Sequence, residues 1–427
     1  MTTLSENELM TRIEGDAPMG RLMRENYWIP FALSSHLVHG EGPTPVRLLG
    51  ENYVAFRAED GRIGFLDELC PHRRASLVLG RTEGNCIRCI YHGWKVDVTG
   101  CVVEAPTQVT RPEAFASRVQ VVHFPVHESG GLAWVWLAGD EPASFPDLPF
   151  RDAELYRFWC VSRVPCNWLQ GVEGTIDSAH VGMLHQTWIA EAAQMAEHSN
   201  LSFALAQPPS YETESTSYGM RAVALRKTAE GGAYARITEH LMPLVTVVPI
   251  GRAMARSGSV FVISPVDDTH HLLFYGTFGD TPHSADTLDR TAMQAPDYLP
   301  DDFDYTGLRG DRTNGWGQDR SRMGDGHFTG FWRSLLEEDA VIQTSMGAIV
   351  DRSKENLSSS DVAVAHTRRM LLDAVRAAET GQRPPGSALT PAGVELPNAF
   401  EVFVEEGMRW QDAAHAMLEQ LRSTASS

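Results

Sequence analysis

Alternating apolar and polar residues dominate the first third of the chain after a polar start. Turn-forming sequences such as Glu59-Asp60-Gly61 separate the alternating segments. Period-two alternation interrupted by turns is typical of an antiparallel sheet that buries one face. The predicted strands are Val46–Leu49, Tyr53–Arg57, Ile63–Leu66, Trp94–Val98, Val119–His123 and Leu132–Trp136.

A proline-rich acidic connector, Gly139–Phe150, predicts a domain boundary. Beyond it, Arg163–His185 has helical periodicity, and strand-like alternation then returns five times. The five predicted strands are Ser217–Lys227, Ala233–His240, Leu244–Pro249, Ser259–Pro265 and His271–Phe278. The later helical patterns are Phe331–Ser345, Ser360–Glu379 and a segment around Glu405–Leu421. The sequence therefore predicts an α+β protein whose second sheet is covered by helices.

Composition excludes several classes of protein. The 427 residues include 36 Lys and Arg against 55 Asp and Glu, so the formal net charge is −19. Such a surface repels nucleic acid and favours a basic protein partner. No stretch approaches the ~20 apolar residues that span a membrane, and the polar segment Met1–Gly20 lacks the apolar core of a secretory signal. We therefore expect a cytoplasmic location.

Cysteine and histidine cluster in one short region. Cys70-Pro71-His72 is followed by sixteen residues and then by Cys89-Ile90-Tyr91-His92. Two thiolates and two imidazoles can hold an iron–sulfur cluster or zinc. A second form of zinc site would combine Cys70, Cys86, Cys89 and Cys101. The residue types alone leave these alternatives open.

The residues around these ligands carry a family resemblance. Cys70-Pro71-His72-Arg73-Arg74-Ala75-Ser76-Leu77 and Cys89-Ile90-Tyr91-His92-Gly93-Trp94-Lys95 resemble the Rieske non-heme iron aromatic-ring-hydroxylating oxygenases. Within that family, the chain resembles the alpha (terminal oxygenase) subunit of the phthalate-dioxygenase-like branch. The resemblance implies a [2Fe-2S] cluster held by Cys70 and Cys89 on one iron and by His72 and His92 on the other.

The resemblance also implies two domains. The first is an all-β Rieske domain at residues 27–138. The second is a catalytic mononuclear-iron domain made of residues 1–26 and 150–427, with an antiparallel sheet covered by helices. A Rieske domain alone transfers electrons, so the larger domain is where a reaction centre is expected.

Asp177-Ser178-Ala179-His180 and His185 form the candidate second metal site. On one continuous helix the two histidines would lie about 140° apart, so we expect the helix to bend or end near Gly182. Gln170, Glu173, Asp177 and His180 share a helical face, which is either solvated or buried with its members paired. The resemblance implies that His180 and His185 bind a mononuclear Fe(II). It also implies that Asp177 bridges to a Rieske histidine of a neighbouring subunit.

The third iron ligand is expected in Glu337-Glu338-Asp339. The sequences around it, Phe328–Gly330, Gln343–Gly347 and Val350–Leu357, resemble the same branch. The resemblance implies that Asp339 is the ligand, with Gln343 one turn later on the same face. Glu337 and Glu338 are expected at the surface, because carboxylates are favoured at a helix start.

The implied function is a terminal oxygenase that uses O2 and electrons to hydroxylate an aromatic acid. The chain has no nucleotide-binding fingerprint, so NAD(P)H and flavin are expected on a separate reductase, with or without a ferredoxin. The intersubunit electron route implies a homo-oligomer, by resemblance a trimer. Tyr91 and Trp94 are candidates for contact with the reductase.

The substrate and the reaction type stay open. Arg221, Arg236 and Arg252 lie in or near the second sheet, and Arg236 is the first candidate for a substrate carboxylate because it lies in the middle of a strand. One alternative is a monooxygenase that removes O-alkyl groups or cleaves aryl ethers. A more distant alternative is a Rieske electron carrier without oxygenase activity.

Overall fold

The computed structural model describes residues 2–139, 141–151, 156–195, 208–228, 231–249, 257–279, 294, 295, 298, 303–387 and 399–425. The chain forms two compact units. The smaller unit comprises Ile13–Phe145 and Ser264–Asp267, and the larger comprises Met1–Arg12, Pro146–Ile263 and Asp268–Ser427. The predicted limits, 27–138 for the Rieske domain and 1–26 with 150–427 for the catalytic domain, remain a prediction.

The smaller unit consists of short strands in three sheets. Its two helices are α2 (Pro18–Asn26) and α3 (Pro112–Ala116). Its strands are β1 (Trp28–Leu33), β2 (Thr44–Leu48), β3 (Glu51–Arg57), β4 (Ile63–Asp67), β5 (Arg81–Glu83), β6 (Cys86–Arg88), β7 (Lys95–Asp97), β8 (Val102–Glu104), β9 (Val126–Ser129) and β10 (Leu132–Trp136). The sheet orders are β1-β10-β9, β2-β3-β4 and β5-β6-β7-β8, with antiparallel pairing. The all-β prediction for this part of the chain is confirmed.

The core of the smaller unit includes Cys70 and Cys89. Apolar side chains from the second and third sheets pack with Cys70, Cys89 and Trp94 into one buried group, together with Val54, Leu66, Ile87, Val96 and Val121. Since apolar burial stabilises the unit as a whole, the same packing holds the cysteine loops in place.

The larger unit is built on an eight-stranded sheet. Its strands are β11 (Tyr156–Val164), β12 (Ser210–Ser215), β13 (Gly219–Lys227), β14 (Ala233–Leu241), β15 (Val245–Val248), β16 (Gly258–Asp267), β17 (His270–Gly279) and β18 (Phe400–Val404). The order is β11-β17-β16-β15-β14-β13-β12. The first half of β14 also pairs with β18, and its second half pairs with β15. The predicted second antiparallel sheet is confirmed.

Helices cover both faces of this sheet. The helices of the larger unit are α1 (Leu4–Thr11), α4 (Trp168–Ile176), α5 (Val181–Leu184), α6 (Gln186–Met195), α7 (Arg320–Gly324), α8 (Leu335–Ser345), α9 (Val362–Glu379) and α10 (Trp410–Ala425). Helix α10 packs Trp410, Ala413 and Ala414 on Ile237 and Val402 of one sheet face. Helix α4 contacts β15 and β17, where the side chain of Thr175 reaches Thr246.

The position of α4 is fixed at its start and along its length. The side chain of Asn167 caps the helix by accepting the Leu169 N–H, and its amide donates to Thr11 O at 2.9 Å. A Cβ atom at Gly171 would lie 2.8 Å from Nε2 of His271 on β17. Only glycine therefore allows α4 to approach the sheet this closely.

A buried group of charges ties α4 to later parts of the chain. Glu173 accepts hydrogen bonds from Arg352 at 2.8–3.2 Å and from Arg368 of α9 at 2.7 Å. Arg352 is 1% exposed and Arg368 is 5% exposed. Burial by itself would raise the pKa of Glu173, but the two guanidinium groups hold that pKa below its usual value. The polar face of α4 is therefore buried and paired rather than solvated.

Two sequence predictions differ from the fold, and several strands have no counterpart among the predicted ones. Val119–His123 forms isolated bridges instead of a strand. The predicted helix Arg163–His185 is replaced by the end of β11 followed by the shorter helices α4 and α5. The strands without a prediction are β1, β5, β6, β8, β9, β11, β12 and β18. For β18, the partner strand β14 lies more than 150 residues away, and local alternation cannot reveal such a pairing.

We predict that Glu173→Gln lowers the free energy of unfolding of the larger unit by about 3–5 kcal/mol, because two buried guanidinium groups would lose their counter-charge. The wild-type carboxylate contributes this stability fully above its unfolded pKa, near 4.5, and loses it as the pH falls towards the lower folded pKa. The measurement is chemical denaturation between pH 4 and 8.

The control is Glu355→Gln, because Glu355 pairs with Arg368 but its side chain is 26% exposed. This variant should lose much less stability than Glu173→Gln. Equal losses in the two variants would contradict the importance assigned to the buried pair.

Candidate metal centres

The first cysteine–histidine arm lies in the loop between β4 and β5. Cys70 N–H donates to Ala75 O at 2.8 Å, and Arg74 N–H donates to Cys70 O at 2.9 Å. This tight turn places Arg74 in the left-handed region, with φ of 60°, which is uncommon for a residue with a side chain. The turn leaves Cys70 almost fully buried, at 1% exposure.

The second arm lies in the loop between β6 and β7. Cys89 N–H donates to Trp94 O at 2.8 Å, and Gly93 N–H donates to Cys89 O at 2.9 Å. Gly93 has φ of 76°, a conformation that favours glycine. The guanidinium of Arg88 donates to Gly93 O at 2.8 Å. These bonds hold Cys89 in the core beside the first arm.

The two arms bring their four ligand residues together. The rings of His72 and His92 meet edge to face with centroids 4.5 Å apart, and Trp94 stacks parallel on His72 at 4.7 Å. Burial, together with the neighbouring Cys89, raises the pKa of the Cys70 thiol to about 11. A thiolate at such a buried position is stable only with a cation beside it, and a bound metal ion supplies that positive charge.

One atom of this group tests the fit to a cluster. Nδ1 of His72 is buried and has no hydrogen-bond partner among the described residues. A buried polar atom without a partner costs free energy unless a ligand satisfies it. Two thiols and two imidazoles, one of which has this unsatisfied nitrogen, fit the [2Fe-2S] cluster with Cys and His ligands.

The four-cysteine zinc alternative is not formed. Among the described residues, the one group of three or more His, Cys, Asp or Glu whose ligand atoms lie within 4.8 Å of one another contains no cysteine. Cys86 lies in β6 and Cys101 accepts a weak contact from Gln120. All six cysteines are free of disulfides.

That group is the second centre, and the end of α4 creates it. The helix stops at Ile176, Asp177 is extended, and the short helix α5 separates His180 from His185. The two imidazole rings consequently face each other at 5.1 Å and 78°. The expected break is confirmed, but its predicted place near Gly182 is wrong: the chain leaves helical geometry at Asp177 and again at His185.

Asp339 completes the group from α8. Its Oδ1 lies 3.5 Å from Nε2 of His180 and 3.2 Å from Nε2 of His185. Ligand atoms around an ion with bonds of about 2.1 Å lie roughly 3 Å apart when they are adjacent. These three residues could therefore share one metal ion, as the resemblance predicts.

Each histidine has a carboxylate at its other nitrogen. Nδ1 of His180 lies 3.2 Å from Oδ2 of Asp177, and Nδ1 of His185 lies 2.7 Å from Oε2 of Glu338. Burial lowers the pKa of His185, but Asp339 and Glu338 outweigh burial and raise that pKa to about 9. Burial raises the pKa of Asp177, while His180 brings that pKa below its usual value.

Asp177 also has partners outside the metal group. Its Oδ1 accepts Ala179 N–H at 2.7 Å and the hydroxyl of Tyr211 at 3.4 Å. Tyr211 comes from β12 and also accepts Ser178 N–H at 2.7 Å. The contact of Tyr211 with Asp177 is not predictable from the sequence, because nothing near Asp177 in the chain indicates which strand lies beneath it.

The expectation that Glu337 and Glu338 lie at the surface is wrong. Both are 0% exposed. Glu337 pairs with Arg333, and burial raises the pKa of Glu337 to about 7. Helical geometry alone does not reveal this burial, because Glu338 and Glu337 lie about 100° and 200° around the helix from Asp339 and neither has to share its inward face.

The remaining predicted residues have defined places. Gln343 is buried, and a Cβ atom at Gly174 would lie 2.6 Å from its amide nitrogen, so α8 and α4 touch here. Arg236 of β14 donates to Glu401 of β18 at 2.6 Å. Arg221 pairs with Glu239 at 2.8 Å. Arg252 lies outside the described residues.

Two protein-family profiles match this chain. Residues 27–125 match the Rieske [2Fe-2S] domain. Residues 154–425 match the family described as LigXa C-terminal domain like, which covers more than half of the sequence. The chain is a Rieske oxygenase.

Relatives of this Rieske oxygenase match over nearly the full length. It is 35% identical over 428 residues to the phthalate 4,5-dioxygenase oxygenase subunit of Pseudomonas putida, covering 96% of this chain and 94% of that protein. It is 32% identical to the 3-chlorobenzoate-3,4-dioxygenase oxygenase subunit of Comamonas testosteroni, covering 95% and 99%. It is 27% identical to the 5,5'-dehydrodivanillate O-demethylase oxygenase subunit of Sphingobium sp. (strain NBRC 103272 / SYK-6), covering 96% and 89%.

Solved structures support the fold. NdmA of Pseudomonas putida CBB5 superimposes with a TM-score of 0.60 at 19% identity, covering 89% of this chain and 99% of that one. The terminal oxygenase of carbazole 1,9a-dioxygenase from Nocardioides aromaticivorans IC177 gives 0.59 at 19% identity, covering 89% and 98%. In the described part of this Rieske oxygenase, no helix has the length and apolar character needed to cross a membrane.

We predict that Cys89→Ser abolishes the visible absorption of the iron–sulfur cluster, because it removes one of two thiolate ligands. Cys86→Ser is the matched control, since Cys86 is also buried in this unit but holds no iron in the Rieske arrangement. The measurement is the absorption spectrum with iron and sulfide analysis. Loss of the cluster in both variants would contradict the ligand assignment.

Proposed function

We propose that this Rieske oxygenase hydroxylates an aromatic carboxylic acid, with His180, His185 and Asp339 holding a ferrous ion. The observation that carries the proposal is the convergence of these three ligand atoms within 4.8 Å. Two imidazoles and one carboxylate on one side of an ion leave the other positions open for O2 and substrate. The ion, when bound, supplies the oxygen chemistry.

The surrounding residues orient the three ligands. The carboxylates of Asp177 and Glu338 accept hydrogen bonds from the Nδ1 atoms of the two histidines. Each bond keeps a proton on Nδ1 and directs Nε2 at the metal position, where a bound metal would take the place of any proton on Nε2. The ligand set is thus oriented before any metal binds.

Asp177 is our candidate for the link between the two kinds of metal site. Its side chain is 24% exposed, so a histidine of a neighbouring chain could reach it from outside. Oδ2 of Asp177 holds His180, while Oδ1 accepts the Ala179 N–H at 2.7 Å and a long, weak bond from Tyr211 at 3.4 Å. This arrangement supports an electron route from the Rieske domain of one subunit to the metal site of the next.

The proposal requires partners. The chain lacks a nucleotide-binding fingerprint, and its relatives are named as oxygenase subunits of multicomponent enzymes. We therefore infer a separate reductase that carries flavin and NAD(P)H. The intersubunit route requires a homo-oligomer, for which we infer a trimer, and we keep the expectation of a cytoplasmic enzyme.

The relatives favour an aromatic acid as the substrate. Two relatives that match above 30% identity over nearly the full chain are named for phthalate and 3-chlorobenzoate, both aromatic carboxylates. Arg236 is our candidate for the carboxylate group. Its side chain is 14% exposed, and its bond to Glu401 uses one of the five N–H donors of a guanidinium.

O-demethylation is the second candidate, because the third relative is named for that activity. The electron-carrier hypothesis is disfavoured, because it gives no reason for His180, His185 and Asp339 to converge. It also gives no reason for the catalytic-domain profile to match 154–425.

We predict that Asp177→Ala leaves both the cluster and the mononuclear ion bound but lowers turnover roughly 10- to 100-fold, the usual loss for a residue that supports a metal ligand. The measurement combines metal analysis with stopped-flow oxidation of the reduced cluster. Tyr211→Phe is the control, since it loses one weak bond to the same carboxylate and should retain most of the rate. Wild-type turnover in Asp177→Ala would rule out the bridge.

Substrate class is tested by oxygen uptake with a reductase and a panel of aromatic acids and aryl ethers, followed by product analysis. We expect uptake with an aromatic acid and a dihydroxylated product. A demethylated product with formaldehyde would instead establish the second candidate. Absence of uptake with every member of both classes would contradict the proposal.

A further inference from the structure

His185 has a fully buried carboxylate partner. Oε2 of Glu338 accepts the His185 Nδ1–H at 2.7 Å, and Glu338 is 0% exposed. We propose that Glu338 is a positioning residue that fixes His185 for metal binding, and that Thr329 holds Glu338 in place. This inference rests on the proposed metal site.

The hydrogen bond controls both the tautomer and the direction of the imidazole. Because Nδ1 carries the proton that Glu338 accepts, Nε2 is the nitrogen that remains to bind a metal. That atom points at Asp339, with 3.2 Å between Nε2 and Oδ1. A ring flip would break this buried bond to a carboxylate, and hydrogen bonds to charged groups are stronger than those between neutral groups.

Thr329 fixes the other oxygen of the same carboxylate. Its hydroxyl donates to Oε1 of Glu338 and accepts Phe331 N–H at 3.2 Å. The donors in these two hydrogen bonds are determined, because a backbone N–H can only donate and an ionised carboxylate can only accept. The Thr329 hydroxyl therefore accepts from Phe331 and donates to Glu338. Both oxygens of Glu338 are therefore engaged, and the carboxylate cannot rotate to become a metal ligand itself.

The carboxylate partners of the two histidines differ in their exposure to solvent. Asp177, which holds His180, has a side chain that is 24% exposed. Glu338, which holds His185, has a side chain that is 0% exposed. Exposure suits a residue that must contact another subunit, whereas burial suits one that must stay in place. We therefore assign metal retention to the pair His185 and Glu338, and contact with another subunit to the pair His180 and Asp177.

A buried negative charge next to a metal ligand also acts electrostatically. A carboxylate bonded to the remote nitrogen makes the imidazole more basic and hence a better ligand. This effect is strong where water is excluded. Removing the charge while keeping the shape should therefore weaken metal binding without disturbing the fold of α8.

Glu337 provides a matched control one residue earlier. It is equally buried on the same helix, accepts Arg333 N–H at 3.0 Å and pairs with the Arg333 guanidinium instead of a histidine. Glu337→Gln and Glu338→Gln each remove one buried carboxylate from α8. The two variants therefore separate a general effect on α8 from an effect through His185.

The test is the affinity of the full-length protein for Co²⁺ at the mononuclear site, after that site is emptied with a chelator and with the Rieske cluster intact. We expect Glu338→Gln to weaken Co²⁺ binding roughly 10- to 100-fold and to shift the Co²⁺ absorption bands. Glu337→Gln should bind close to wild type. Thr329→Val should lose several-fold in affinity, and Thr329→Ser, which keeps the hydroxyl, should restore it.

The outcomes distinguish this inference from the proposed function. If wild type and His185→Ala bind Co²⁺ equally weakly, the metal site itself is wrong. If wild type binds tightly and Glu338→Gln binds equally tightly, the metal site stands and the role of Glu338 is overturned. If Glu338→Gln does not fold, equal affinities of Thr329→Val and Thr329→Ser would overturn it instead.

Discussion

The end of α4 at Ile176 is the constraint on which the reaction centre depends. Two histidines five positions apart on a continuous helix point about 140° away from each other, so they cannot bind one ion. The extended geometry of Asp177 and the short helix α5 turn both imidazoles to the same point. The helix can end there because its own position is fixed by Gly171 against β17, by Gly174 against α8 and by the buried pairing of Glu173 with Arg352 and Arg368.

The carboxylates around α4 and α8 share one feature: Glu173, Asp177, Glu337 and Glu338 are each paired with a positively charged group or a hydrogen-bond donor. Glu173 neutralises two arginines, Glu337 pairs with Arg333, and Glu338 and Asp177 each hold a histidine. Because unpaired buried charge is strongly destabilising, these pairs define where α4 and α8 can lie. Asp339 lies on α8, and His180 and His185 lie at the two ends of α5, shortly after α4. The pairing therefore also limits where the three candidate metal ligands can lie.

Much of the fold and of the site is predictable from the sequence, for reasons that differ from residue to residue. Period-two alternation locates most strands, and the spacing of Cys70, His72, Cys89 and His92 with their flanking residues identifies the family. Long-range pairing is invisible to local pattern, so β18, Tyr211 and the contact of His185 with Glu338 are missed. Glu338 is missed for a further reason, because an acidic run at a helix start is usually solvated and here is buried by the loop that carries Thr329.

We infer that a single chain carries both a Rieske cluster and a mononuclear iron site. The decisive measurement is iron and acid-labile sulfide analysis of the purified protein, combined with electron paramagnetic resonance of its oxidised and reduced forms. We expect about three iron ions and about two sulfides per chain, since the Rieske cluster holds two of each. About two iron ions per chain in fully loaded protein, or zinc without sulfide, would contradict it.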